Sequence, residues 1–152
     1  MLRLFAVLLL TASNLSASEL FDVKGAFDLD YIKDVHASNV SDCKDAGGLV
    51  LGDEQLIHHF DFNNDGAIDM SVYDEFVLGC ATSRSMFQGT AGAVQYWFID
   101  GQLIDYSYSR GWELLNREVP ILLRYRHGRA CDEAGYMPCV SASAIVDGQF
   151  ID

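Results

Sequence analysis

The chain has 152 residues, half of them apolar, and its 22 acidic side chains outnumber 10 basic ones for a formal net charge of −12. That length suits one domain with a real core, and the apolar content argues against disorder. So acidic a surface repels nucleic-acid phosphates and anionic lipid heads, and nucleic acid is not an expected partner.

Residues 1–18, MLRLFAVLLLTASNLSAS, have the layout of a secretory signal peptide: Arg3, the apolar run Leu4–Leu10, then the small residues Ser16-Ala17-Ser18. Cleavage near Ala17 or Ser18 would leave one domain over 19–152. The apolar run is far short of the ~20 residues that cross a bilayer, and no later stretch is long enough. No cysteine follows it before Cys43, so a lipid-attachment site is missing. The expectation is a monomer exported to the periplasm or the medium, without a membrane span.

Residues 38–48, SNVSDCKDAGG, predict a short helix, with Ser41 as N-cap, Asp42 in the first turn and Gly47-Gly48 as the stop. LVLG follows, and LIHHFDF and IDMSVY predict strands on either side of a polar loop. VQYWFIDGQLIDYSYS, 94–109, predicts a hairpin, because Asp100-Gly101 tolerates the positive φ angles of a two-residue turn. VPILLRYRHG predicts a strand with Arg124 and Arg126 on one face and Leu123, Tyr125 and His127 on the other. SAIVDGQFID repeats the Asp-Gly hairpin at the end of the chain. The fold class expected is mainly β, with α+β as its variant: one small antiparallel domain with one or two short helices.

Between the two strands flanking it, DFNNDGAID places Asp61, Asn63, Asp65 and Asp69 at alternate positions around Gly66. A hard dication takes six to eight oxygens, and calcium tolerates irregular geometry. Side chains at positions 1, 3 and 5 of a tight loop can aim at one centre, Ala67 can add its carbonyl, and Asp69 adds a carboxylate or holds a water. Residues 19–80 carry 14 acids and three lysines, whereas 81–152 carry eight acids and six arginines, so the loop lies in the more acidic half. Calcium is the expected ion, in a structural role that pins two strands.

The stretch DFNNDGAIDMSV resembles the D-x-N-x-D-G-x-x-D calcium loop of FG-GAP and VCBS-type propeller blades, with Ile68, Met70 and Val72 alternating as a strand would. It is also similar to the start of an EF-hand loop. An EF-hand needs a bidentate Glu at position 12, where this chain has Val72, and Glu75 comes three residues too late. The resemblance spans residues 58–72 and implies a loop between strands, not a propeller, which needs several such blades. A Cys–Gly-Gly segment, this loop, then a cysteine and an aromatic hairpin form an order similar to that of small exported bacterial proteins.

Four cysteines, Cys43, Cys80, Cys131 and Cys139, predict two disulfides in an exported chain, with three pairings open. The short intervening DEAGYMP favours Cys131–Cys139, leaving Cys43–Cys80. No C-x-x-C pair supports zinc.

The remaining chemistry is sparse. Adjacent histidines on a strand point to opposite faces, so His58 and His59 read as one packed and one solvated side chain rather than a metal pair. Ser83, Ser85 and Ser109 lie in no nucleophile-elbow context. Tyr96, Trp97, Tyr106, Tyr108 and Trp112 gather around the hairpin, as core or as a surface for a protein or glycan ligand. The function expected is therefore a non-enzymatic calcium-binding module. Its alternative is a secreted hydrolase, acting on glycans, with a carboxyl pair such as Asp100/Asp105 or Glu113/Glu118.

Overall fold

Helix α1, Leu29–Asp45, begins the described part of the computed structural model, which covers residues 29–52 and 56–152. The signal-peptide reading lies outside the described residues. The helix is longer than the sequence predicts and runs straight through Ser41 and Asp42, so Ser41 is not its N-cap. The reason lies on its inner stripe. Ile32 and Cys43 are apolar, but His36 and Asn39 share that stripe and find partners far along the chain: Tyr73 Oη lies 3.2 Å from His36 Nδ1, and Asn39 Nδ2 donates to Glu75 Oε1 at 2.9 Å. Polar residues on the buried side dilute the apolar period that marks a helix. Its end is as predicted. Gly47, at φ 74°, donates to Lys44 O at 2.8 Å and Gly48 to Cys43 O at 2.9 Å, the paired bonds of a Schellman stop.

Ten strands follow. β1 (Val50–Leu51) pairs only with β4 (Gly79–Cys80). β2 (Ile57–Phe60), β3 (Met70–Asp74), β5 (Ala93–Ile99) and β6 (Gln102–Ser109) form an antiparallel sheet in the order β2-β3-β5-β6. A second antiparallel sheet runs β10-β9-β8-β7, from β7 (Gly111–Leu115), β8 (Ile121–His127), β9 (Pro138–Val146) and β10 (Gln149–Ile151). Single 3₁₀ turns occupy Glu75–Val77 and Gly128–Cys131. This is the mainly β, antiparallel domain expected, with one α-helix among the described residues.

The layers are helix, sheet, sheet. One face of the first sheet packs Tyr73, Tyr96 and Phe98 against Ile32 of α1; the other packs Met70, Val72, Trp97 and Ile99 against Leu122 and Ile145 of the second sheet. Strands β3 and β5 are thus covered on both sides; β5 reads as a nearly unbroken apolar run, and β3 buries Ser71 and Asp74 along with Met70, Val72 and Tyr73. Both Asp-Gly hairpins form: Asp100 and Gly101 have φ of 48° and 77°, Asp147 and Gly148 of 49° and 73°. Positive φ at both central residues gives the primed turn whose twist matches the strands.

Both disulfides link the pairs the spacing favours, Cys43–Cys80 and Cys131–Cys139. The first ties the end of α1 to β4. It also explains Gly48: a Cβ there would lie 2.3 Å from Cys80 Sγ, so only glycine lets the bridge pass.

Candidate functional site

The polar loop joins β2 to β3, whose register pairs Phe60 with Met70, so strands rather than helices flank it. Asp69 closes its base: its N–H donates to Phe60 O at 2.9 Å, and its Oδ2 accepts from Phe62 N at 2.6 Å. Within the loop each side chain accepts from a backbone amide two to five residues on. Asp61 takes Asp65 N at 3.3 Å and Gly66 N at 2.8 Å, Asn63 Oδ1 takes Asp65 N at 2.8 Å, and Asp65 Oδ1 takes Ala67 N at 2.7 Å. Asn63 Nδ2 in turn donates to Asp65 Oδ2 at 3.0 Å.

Such side-chain-to-backbone bonds are what Asp and Asn make in tight turns. Here they wind residues 61–67 into a ring in which Asp61 and Asn63 oxygens converge on one amide. Asn64 at φ 59° and Gly66 at φ 89° supply the left-handed backbone the winding needs. A carboxylate oxygen that accepts one N–H keeps a second lone pair, so acceptor capacity remains on Asp61, Asp65 and Asp69. Among the described residues, no three His, Cys, Asp or Glu side chains already stand together as a metal-holding group. The Asp, Asn and backbone carbonyl donors are the hard oxygens that suit calcium rather than zinc or copper.

The loop does not hang free of the body. Asp69 O accepts from Asp100 N at 3.2 Å, joining it to the β5–β6 turn. Beside this junction opens a cleft of about 330 Å³ lined by Phe62, Asn63, Asp69, Asp100, Arg117 and Glu118. Asp105 meets Arg124 Nη1 at 2.5 Å, and Glu113 accepts from Tyr125 Oη at 3.1 Å, while Asp100 and Glu118 share the cleft with Asp69.

The aromatic group is split between faces. Trp97 is fully buried between the sheets and so is not part of a ligand surface; half-buried Trp112 stands against it, ring centroids 5.3 Å apart. Tyr96 is buried too, stacked 6.1 Å from Tyr106 and 6.0 Å edge-on to Tyr31. Tyr106 and Tyr108 remain exposed, at 64% and 59%. The physical reason is strand alternation: on β5 odd positions face the second sheet and even ones the helix side. His58 packs on Trp112 at 5.2 Å, whereas His59 is exposed and meets Ser71 Oγ at 2.8 Å, the division expected of neighbouring strand residues. Partial desolvation of the ring against the sheet lowers the His59 pKa, with the nearby His58 adding to the effect.

Sequence reasoning missed a polar network inside the sandwich. Asp74 accepts from Gln95 Nε2 at 2.9 Å, Phe76 N at 2.9 Å and Trp112 Nε1 at 2.8 Å, and Ser109 Oγ donates to Gln95 Oε1 at 2.7 Å. The network bonds the two sheets to each other. A clue was present: in MSVYD the period of two puts Asp74 on the same face as Met70 and Val72, a core face. Next to it Glu75 is buried under α1, and desolvation raises its pKa, opposed by the Asn39 bond and reinforced by the charge of Asp74.

Comparison with protein-family models, curated proteins and solved structures finds no match. Two disulfides fit an oxidising environment, and among the described residues no helix is long and apolar enough to cross a membrane.

Proposed function

We propose that the protein is an exported, non-enzymatic binding module in which Ca²⁺ at residues 61–69 has a structural role. The observation that carries this reading is the winding of the β2–β3 loop around its own amides, which turns the oxygens of Asp61, Asn63 and Asp65 inward on a backbone that is already a ring. The three loop acids repel one another when ionised, and a dication removes that repulsion. An ion there would draw Asp61, Asp65 and Asp69 together, with Asn63 and the Ala67 carbonyl completing the donors. Through the Asp69–Asp100 bond it would stiffen the neighbouring turn as well as its own strands.

A binding role rather than catalysis is supported by the fate of the buried carboxylates. Asp74 and Glu75 are both engaged in structural hydrogen bonds, to Trp112, Gln95 and Asn39. Tyr106 and Tyr108, exposed on β6, offer the ligand-facing surface, for a protein or a glycan.

The test is thermal unfolding with and without calcium. At an affinity of ~10⁻⁴–10⁻³ M, about 10 mM Ca²⁺ should stabilise the fold by ~1.4–2.7 kcal/mol, a rise of several degrees in Tm. Asp65→Ala should abolish the rise; an equal shift in the variant would refute the site.

A further inference from the structure

β6 is the edge strand of the first sheet and β10 that of the second. Residues of both strands line a cavity of about 510 Å³, among them Leu103, Ile104, Asp105, Phe150 and Asp152, which Arg124 reaches from β8. Arg124 is only 5% exposed, and so buried a guanidinium needs acceptors for its donors. Nη1 donates to Asp105 Oδ2 at 2.5 Å and to Ser107 Oγ at 3.3 Å, and Cζ lies 5.4 Å from the centre of the Phe150 ring. Asp105 thus balances the charge and ties β6 to β8. The rest of the guanidinium is less complete. Nη2 donates to Ser143 Oγ at 2.7 Å, and Nε has no hydrogen-bond partner among the described residues. Nε and Nη2 together form an edge on which arginine can take a carboxylate through two parallel bonds. Fully buried Ser143 passes its own proton to Asp152 Oδ1 at 2.5 Å, and that oxygen stands 3.8 Å from Nη2, beyond hydrogen-bond range. The Asp152 side chain is 85% exposed.

We propose that the Arg124–Ser143 corner of this cavity binds an organic monocarboxylate with a short apolar body, and that Asp152 occupies the ligand's position in the free protein. The chain itself shows that the corner accepts a carboxylate. So exposed an ion pair contributes little, and water solvates Asp152 once it leaves, so its departure costs little. Exchanging one carboxylate for another keeps the charge of the site unchanged, which avoids burying a new unpaired ion.

The same charges select against other ligands. A neutral molecule forgoes the ion pair with Arg124. A dianion such as a phosphonate brings a second negative charge beside Asp105, on a chain of net −12. Leu103, Ile104 and Phe150 give the body of the ligand apolar contact, as the walls of small-molecule sites do. The site needs no calcium.

Titration with hexanoate, followed through the amide chemical shifts, tests the site. Hexanoate should move the amides of Leu103, Gln149 and Phe150 with a dissociation constant of about 10 mM, as befits so small a ligand. Hexanamide, equal in shape but uncharged, should not move them at the same concentrations, and hexylphosphonate should bind more weakly than hexanoate. Asp152→Ala removes the tethered competitor and should bind hexanoate about tenfold more tightly. Gln149→Glu places a negative charge at an exposed position on the cavity wall and should weaken binding about fivefold. Equal shifts with hexanamide, or tighter binding of the phosphonate, would overturn the proposal. So would an Asp152→Ala protein that binds no more tightly than the wild type, or a Gln149→Glu protein that binds as well.

Discussion

The acids of the 61–69 loop and the acids at Asp74 and Glu75 are held in opposite ways. In the loop every acceptor bond spans two to seven residues, and most of the groups are exposed. Asp74 and Glu75 are buried, and their side-chain partners Gln95, Trp112 and Asn39 lie 21, 38 and 36 residues away. Water can replace a lost partner in the loop but not in the sandwich, so the same residue type has a small structural role in one place and a large one in the other.

The largest effect should come from Asp74→Ala. It leaves the Trp112 and Gln95 donors buried and unpaired and cuts a bond between the sheets, for a loss of about 4–5 kcal/mol in urea unfolding. Asp65→Ala without calcium should cost no more than about 1 kcal/mol, because its amides stay solvated. Equal losses in the two variants would break the contrast. Next in size is Cys43→Ser with Cys80→Ser. The bridge closes a separation of 37 residues and should contribute about 3–4 kcal/mol. The Cys131–Cys139 bridge, across 8, should contribute about 1 kcal/mol less.

The smallest effect sharpens the comparison through pH. Desolvation raises the Glu75 pKa in the fold, so the protonated form is the one that folding favours. Its contribution is fully present below the unfolded carboxyl pKa and is lost as pH rises through the folded value. Glu75→Gln keeps an acceptor for Asn39 Nδ2 without the charge. Its Tm should exceed that of the wild type at pH 7 and fall back toward it below pH 4. A constant difference between the two proteins across that range would show that Glu75 carries no such linkage.

What could be read from the chain follows the same division. The two Asp-Gly turns, the Gly47-Gly48 stop and the strand alternation of β5 are local, and each residue's conformational preference is enough to place it. The extent of α1 was not legible, because His36 and Asn39 make sense on its inner stripe only when Tyr73 and Glu75 stand opposite. The aromatic residues divide in the same manner: Trp97 and Tyr108 look alike in the hairpin, yet one is fully buried and the other 59% exposed.

The sequence by itself determined the antiparallel β character, the turns and the ring-forming loop, since these depend on φ preferences, alternation and bonds that reach only a few residues. Tertiary structure alone decided which strand faces were covered, which acids lost their water and which aromatic rings stayed exposed. Burial is a property of what packs opposite, and that partner comes from elsewhere in the chain.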